Sequence, residues 1–148
     1  MEFIKVKKVN MIKEGSLKVP NGTKRISSPK EVFKILQMYL DGADREHLVC
    51  ICLNTKNHVI NIETISIGSL NASIVHPREV FKIAILSNSA SIILGHNHPS
   101  GDPTPSREDI NISERLKECG QILGIDVLDH VIIGEDSYIS LKDKGLVF

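Results

Sequence analysis

Tryptophan is absent from this chain of 148 residues, and two tyrosines with four phenylalanines bring the aromatic share to only 4%. No aromatic interleaving therefore accompanies its basic residues, as base stacking on single strands would need. Three cysteines, an odd number in a chain long enough to be held by its core, argue against a disulfide framework and for a reducing compartment. Long apolar runs are lacking too: the stretches at 48–53 and 92–94 fall far short of the ~18 to 20 residues that span a bilayer, which predicts no membrane segment. The opening Met-Glu-Phe-Ile-Lys-Val-Lys-Lys alternates charge with apolar groups and builds no secretory h-region, so a cytoplasmic protein is expected. Net charge is missing as well, 18 basic side chains balancing 18 acidic ones. With 41% apolar residues and a length near ~150, this is the profile of one soluble globular domain and excludes a disordered, collagenous or coiled-coil chain.

The zero balance hides an asymmetry. Residues 1–30 hold eight basic groups (Lys5, Lys7, Lys8, Lys13, Lys18, Lys24, Arg25 and Lys30) against Glu2 and Glu14. A basic arm can meet phosphates by counterion release, which brings nucleic acid into view as a partner. The plainer reading is a solvated face drawn to the acidic remainder of its own domain.

Hydrophobic periodicity divides the chain into alternating elements. Residues 3–13 alternate apolar groups with lysine and predict an edge strand, ended by the turn residues Pro20-Asn21-Gly22-Thr23. Ser28 before Pro29 is a cap with an N1 proline. Val32, Ile35, Leu36, Met38 and Leu40 continue it as a helical stripe to about Gly42. Runs 46–53 and 58–67 read as a β-hairpin around Asn54-Thr55-Lys56-Asn57, with Gly68 as a bulge. A second helix opens at His76-Pro77 and runs to about Leu86, and 90–94 predicts a short strand buried on both faces. Glycine, serine and three prolines make 95–105 a rigid loop. Ile112, Leu116, Cys119 and Leu123 space a third helix from Ser106 to Leu123, with Gly124 just past its end, and strands follow at 125–133 and 138–140. The expected fold class is α/β, a mixed sheet flanked by helices, with residues 1–27 as a basic N-terminal strand or arm and 28–148 as the domain.

The chemistry concentrates between Gly95 and Asp109. With a strand repeat of two, His96 and His98 point the same way and Asn97 the opposite way. Asp109 falls in the first turn of the third helix, three residues after Ser106. Two imidazoles and one carboxylate are a three-ligand set for Zn²⁺ that leaves one tetrahedral position to water, the arrangement of a catalytic site. Such a site hydrolyses if a further carboxylate handles the proton and a hydroxyl, for which Ser106 is suited, steadies an oxyanion. Ser106 and Asp109 also fit a capping box, and a His-x-His pair alone is a weak signal. The whole pattern His-x-His-x(7)-Ser-x(2)-Asp, after a buried strand and before a periodic helix, is specific. Spacing does not choose the proton carrier among Glu46, Glu63, Asp102, Glu108, Asp126 and Asp129.

His96, His98, Ser106 and Asp109 resemble the JAMM motif of the MPN/JAB metallopeptidase superfamily. The closer similarity is to its RadC-like branch, over about residues 28–148, through Arg45-Glu46-His47, Val75-His76-Pro77-Arg78-Glu79-Val80-Phe81, His96-Asn97-His98-Pro99-Ser100-Gly101-Asp102, Pro105-Ser106 and Leu128-Asp129-His130. The resemblance implies a cytidine-deaminase-like α/β fold, one zinc per chain on His96, His98 and Asp109, and Glu46 as general base on an earlier strand. It implies a zinc-dependent hydrolase acting on a peptide or isopeptide bond in a peptide or protein substrate. Full-length RadC-like chains carry an N-terminal helix-hairpin-helix region, where this chain has the short basic segment. The alternative is therefore a DNA-associated module with a structural or vestigial zinc site. A nucleobase deaminase would need His-x-Glu and Pro-Cys-x-x-Cys, and neither is present.

Among the remaining candidates, Cys50, Cys52 and Cys119 read as buried structural thiols. His47 and His58 read as surface or strand-end residues, and His76 as a cap. Asp129-His130 is a candidate pair for orienting a zinc-bound imidazole.

Overall fold

The computed structural model of the chain describes residues 1–70 and 75–148. Its elements are α1 (Pro29–Tyr39), β1 (His47–Leu53), β2 (Val59–Ile67), α2 (Pro77–Leu86), β3 (Ser91–Asn97), α3 (Arg107–Leu123), β4 (Asp126–Ile133) and β5 (Tyr138–Ser140). The strands form one mixed sheet in the order β2-β1-β3-β4-β5. β3 lies antiparallel to β1 and parallel to β4, and the outer pairs β1/β2 and β4/β5 are antiparallel.

Each face of the sheet carries its own core. Val32, Ile35 and Leu36 of α1 pack with Val49, Ile51, Leu53, Ile93, Val131 and Ile133 on one side. On the other, Val80, Phe81 and Ala84 of α2 and Ile112 and Leu116 of α3 meet Leu48, Cys50, Cys52, Ile92 and Leu94. β3 is therefore buried along its whole length, as its continuous apolar sequence requires. The parallel β3/β4 pair needs a crossover, which α3 supplies.

Local signals explain the helix ends. The Glu31 carboxylate accepts from the Ser28 N–H (2.9 Å) and the Ser28 hydroxyl, and Pro29 occupies the first helical position. Gly124 closes α3 in the left-handed conformation (φ 73°), where other residues are strained. His76 takes the N-cap position of α2, but its side chain makes no capping hydrogen bond.

Three expectations are corrected. Residues 3–13 form no strand; the chain from 1 to 18 is exposed and has no regular structure. Alternation supplies a strand with two faces but no partner, and along the open edge of β2 the N-terminal region contributes only the bridge between Arg25 and His58. Gly68 (φ 112°) is no bulge within the hairpin but follows the end of β2. The irregularities lie between Leu48 and Val49 and between Cys52 and Leu53, where Ile65 and Ile60 of β2 are the unpaired extra residues. The loop expected from residue 95 begins only after Asn97, because Gly95, His96 and Asn97 continue the ladder with β4 opposite Val131, Ile132 and Ile133. No helix among the described residues is long and apolar enough to cross a membrane.

Ile112 is 2% exposed on the α3 stripe. Replacing it with Ala leaves a cavity against the sheet and is expected to cost about 2–5 kcal/mol, measurable as a lower denaturant midpoint at unchanged slope.

Candidate metal centre

The site forms where three chain segments end together: the C-terminal end of β3, the residue before β1, and the N-terminus of α3. His96 sits on β3 opposite Leu48 and is 1% exposed. His98 follows the strand, tied to its edge by its N–H donating to the Ile133 carbonyl (2.9 Å). Its loop turns back at Gly101 (φ 88°), whose carbonyl accepts from the Glu135 N–H (3.2 Å). Gly134 permits that approach, since a Cβ there would lie 2.2 Å from the Gly101 oxygen.

Ser106 and Asp109 cap α3 reciprocally. Ser106 Oγ accepts from the Asp109 N–H (3.1 Å), and Asp109 Oδ2 accepts from the Ser106 N–H (2.8 Å). The capping and site readings are thus the same geometry: the box that starts the helix holds a fully buried carboxylate against both imidazoles. Asp109 Oδ2 lies 3.1 Å from His98 Nε2, and Oδ1 lies 3.2 Å from His96 Nδ1. Glu46, partly exposed at 29%, places Oε2 3.8 Å from His96 Nε2 and accepts from the Leu70 N–H (3.1 Å). These residues line a cleft of about 330 Å³ that Ser106 and Leu70 also border.

The electrostatics describe a site short of positive charge. Burial pushes the Asp109 carboxyl up, but the two imidazoles and the Ser106 N–H outweigh it and hold the group well below the usual carboxylate range. His98 is pulled up, first by Asp109, against burial, and also by the Asp102 carbonyl 2.9 Å from its Nδ1. That carbonyl requires Nδ1 to donate, so in the neutral ring the Nε2 lone pair faces Asp109 and the cleft. Protonating Nε2 satisfies Asp109; a cation does the same.

A test of fit for a metal ion comes from atoms left without partners. Both nitrogens of His96 and Oδ1 of Asp109 are buried and hydrogen-bonded to nothing, the 3.2 Å contact between Nδ1 and Oδ1 being too poorly aligned to count. Each such atom costs about 1–3 kcal/mol unless something satisfies it. Donor atoms of Glu46, His96 and His98 lie within 4.8 Å of one another, close enough for one ion. Among the described residues that cluster contains no cysteine. Cys50 and Cys52 are buried on β1 with sulfurs 3.9 Å apart, as structural thiols.

The Asp129-His130 pair does something other than orient a ligand through its carboxylate. Asp129 accepts from the His130 N–H (2.7 Å), the Ser140 hydroxyl (2.5 Å) and the Lys142 N–H (3.0 Å), pinning β4 to the end of β5. It is the His130 ring that reaches toward the site. Ser113 Oγ donates to the Asp109 carbonyl (2.7 Å), so His130 Nδ1, 2.6 Å from that oxygen, is the donor in its own bond. His130 Nε2 is left buried without a partner, and the rings of His130 and His96 are 6.1 Å apart. Burial, then repulsion from His96, lowers the His130 pKa to about 3. Ser113 carried no sequence signal beyond its place on a helix. His47 folds its ring back onto the Arg45 carbonyl (2.9 Å), outside the cluster.

Comparison with known proteins bears on this geometry. The model of the RadC-like JAB domain matches residues 26–146. A UPF0758 protein of Geobacillus sp. (strain WCH70) is 60% identical over 127 residues, 86% of this chain and 56% of its own length. UPF0758 proteins of Methanosarcina barkeri (strain Fusaro) and Clostridium beijerinckii are 56% and 54% identical, over 84% and 89% of this chain. The chain spans little more than half the length of these relatives, 54% and 58% for the last two.

Two outcomes follow from the packing. Gly134→Ala displaces the loop that carries His98, and an affinity for a divalent metal ion about 10- to 100-fold weaker is expected in chelator competition. The lowered His130 pKa means that, between about 3 and the ordinary 6.5, the unfolded chain binds a proton that the native ring refuses. Its contribution to stability is whole above that window and declines as pH falls through it, so His130→Asn should flatten the stability profile of the metal-free protein there.

Proposed function

The chain belongs to the RadC-like JAB domain family, and from that premise we propose that it is a zinc-dependent hydrolase of a peptide or isopeptide bond. The observation that carries the reading is the trio of unpartnered buried atoms on His96 and Asp109 at the floor of an open cleft. An ion bound through one His96 nitrogen and the Asp109 carboxylate would supply partners that the protein itself does not.

His96, His98 and Asp109 are the ligands and Glu46 the proton carrier. Asp109 is buried, anionic and fixed by the Ser106 N–H, as a permanent ligand should be. Glu46 stands at the cleft rim, where a carboxylate can exchange a proton with solvent and product. Two neutral imidazoles with one carboxylate suit Zn²⁺. Zinc bound there would lower the pKa of its water to about 7 and polarise the carbonyl under attack.

The remaining work falls to the chain's own groups. Glu46 takes the proton of the attacking water and delivers it to the leaving amine. Ser106 Oγ, already accepting from the Asp109 N–H, has its hydroxyl proton free to donate to the oxyanion. The Asp102 carbonyl keeps the His98 ring in the tautomer that offers Nε2. Arg45, Ser69 and Pro99 border the adjoining surface, where an extended chain could lie next to the cleft.

Metal analysis of the purified protein should find about one zinc per chain, lost in His96→Ala. Glu46→Gln should retain zinc but lose at least about 100-fold in turnover of a cleavable peptide or isopeptide substrate. Undiminished turnover in that variant refutes the assignment of Glu46.

A further inference from the structure

Between the two histidines lies Asn97, whose side chain points away from theirs and is 8% exposed. The ladder between β1 and β3 ends at the pair Leu48 and His96. Where the next rung would fall, the Asn97 amide substitutes for backbone. Its Oδ1 accepts from the His47 N–H (2.7 Å) and its Nδ2 donates to the Arg45 carbonyl (3.0 Å). These are the two peptide groups on either side of Glu46.

Glu46 itself is held from the opposite direction. Its carbonyl accepts from the Gly68 N–H (2.8 Å) and its carboxylate from the Leu70 N–H (3.1 Å), both just past β2. No ladder pairing reaches Glu46, so its position relative to β3 rests on the amide between the histidines. The task needs one acceptor and one donor on the same short side chain, which asparagine has and aspartate and leucine lack.

We infer that Asn97 is a positioning residue: by clamping both peptides that flank Glu46, it indexes the proton carrier to the two imidazoles attached to its own backbone neighbours. The inference rests on the reading of Glu46 given above and adds to it the device that sets the 3.8 Å spacing between Glu46 Oε2 and His96 Nε2. A carboxylate displaced by about 1 Å moves protons poorly even when every ligand remains in place.

The test uses the full chain and two readouts. In metal-free protein, amide hydrogen exchange of Asn97→Ala should quicken by about tenfold or more at His47, which loses its acceptor, and at Leu70, which bonds the Glu46 carboxylate and not Asn97. Amides of the β3/β4 ladder should stay as in the parent. In protein loaded with Co²⁺, the pH midpoint of the visible absorption should move in Asn97→Ala in the same direction as in Glu46→Gln. The double variant should move no further than Glu46→Gln alone.

Faster exchange at His47 with Leu70 unchanged would reduce Asn97 to a strand-end cap and overturn the inference. So would midpoint shifts that add in full. If Asn97→Ala folds poorly, Asn97→Asp carries the same readouts: it keeps volume and the acceptor for His47 but loses the donor, so only Leu70 should exchange faster. Failure of the parent to bind Co²⁺ would sink the hydrolase reading, while the exchange data still decide whether Asn97 holds Glu46.

Discussion

The structure turns on one buried carboxylate. Asp109 is fully enclosed, yet it remains an anion because three groups meet it: the Ser106 N–H at the start of α3, His98 at the end of β3 and His96 within that strand. Each of those contacts joins parts of the chain that would otherwise be independent. The helix cannot begin elsewhere without unburdening the carboxylate of its N–H, and the strand cannot end elsewhere without withdrawing an imidazole. Removing such a charge's partners costs far more than an exposed ion pair gains, because the interior offers no water to replace them.

The surrounding fold has the form of a cradle for that arrangement. Two separate cores, α1 on one face and α2 with α3 on the other, bury β3 on both sides, so its end is as rigid as its middle. His98, lying beyond the ladder, gets its rigidity from backbone contacts to Ile133 and to the Gly101–Gly134 crossing. Glu46 is the least enclosed of Glu46, His96, His98 and Asp109, which suits the proton-carrying role proposed for it.

Much of this was legible along the chain, and the failures have definite causes. The spans of α1, α2, α3 and β4 follow from periodicity, a Ser-Pro start and a terminal glycine, all of them local signals. The segment 3–13 carries an equally clear alternation and forms no strand, since a strand also needs an open edge in register with it. Gly95, His96 and Asn97 look like loop residues, but a parallel ladder with β4 satisfies their backbone and extends β3 to Asn97. Asp129 looked like a partner for an imidazole because of its neighbour in sequence, whereas strand alternation turns the two side chains to opposite faces. Ser113 and Asn97 escaped notice because each meets a residue brought near only by folding, His130 for the one and the peptides around Glu46 for the other.

Residue order by itself placed the two imidazoles on one side of the chain and a carboxylate in the first turn of α3, since strand and helix repeats are short-range facts. It also determined the α/β alternation and family membership. Which carboxylate faces the imidazoles across the cleft was decided only by the pairing of β1 with β3, which brings residue 46 to residue 96 over an interval of fifty positions. Long-range register of that kind is fixed by the packing of both cores together, and no local stretch of sequence encodes it.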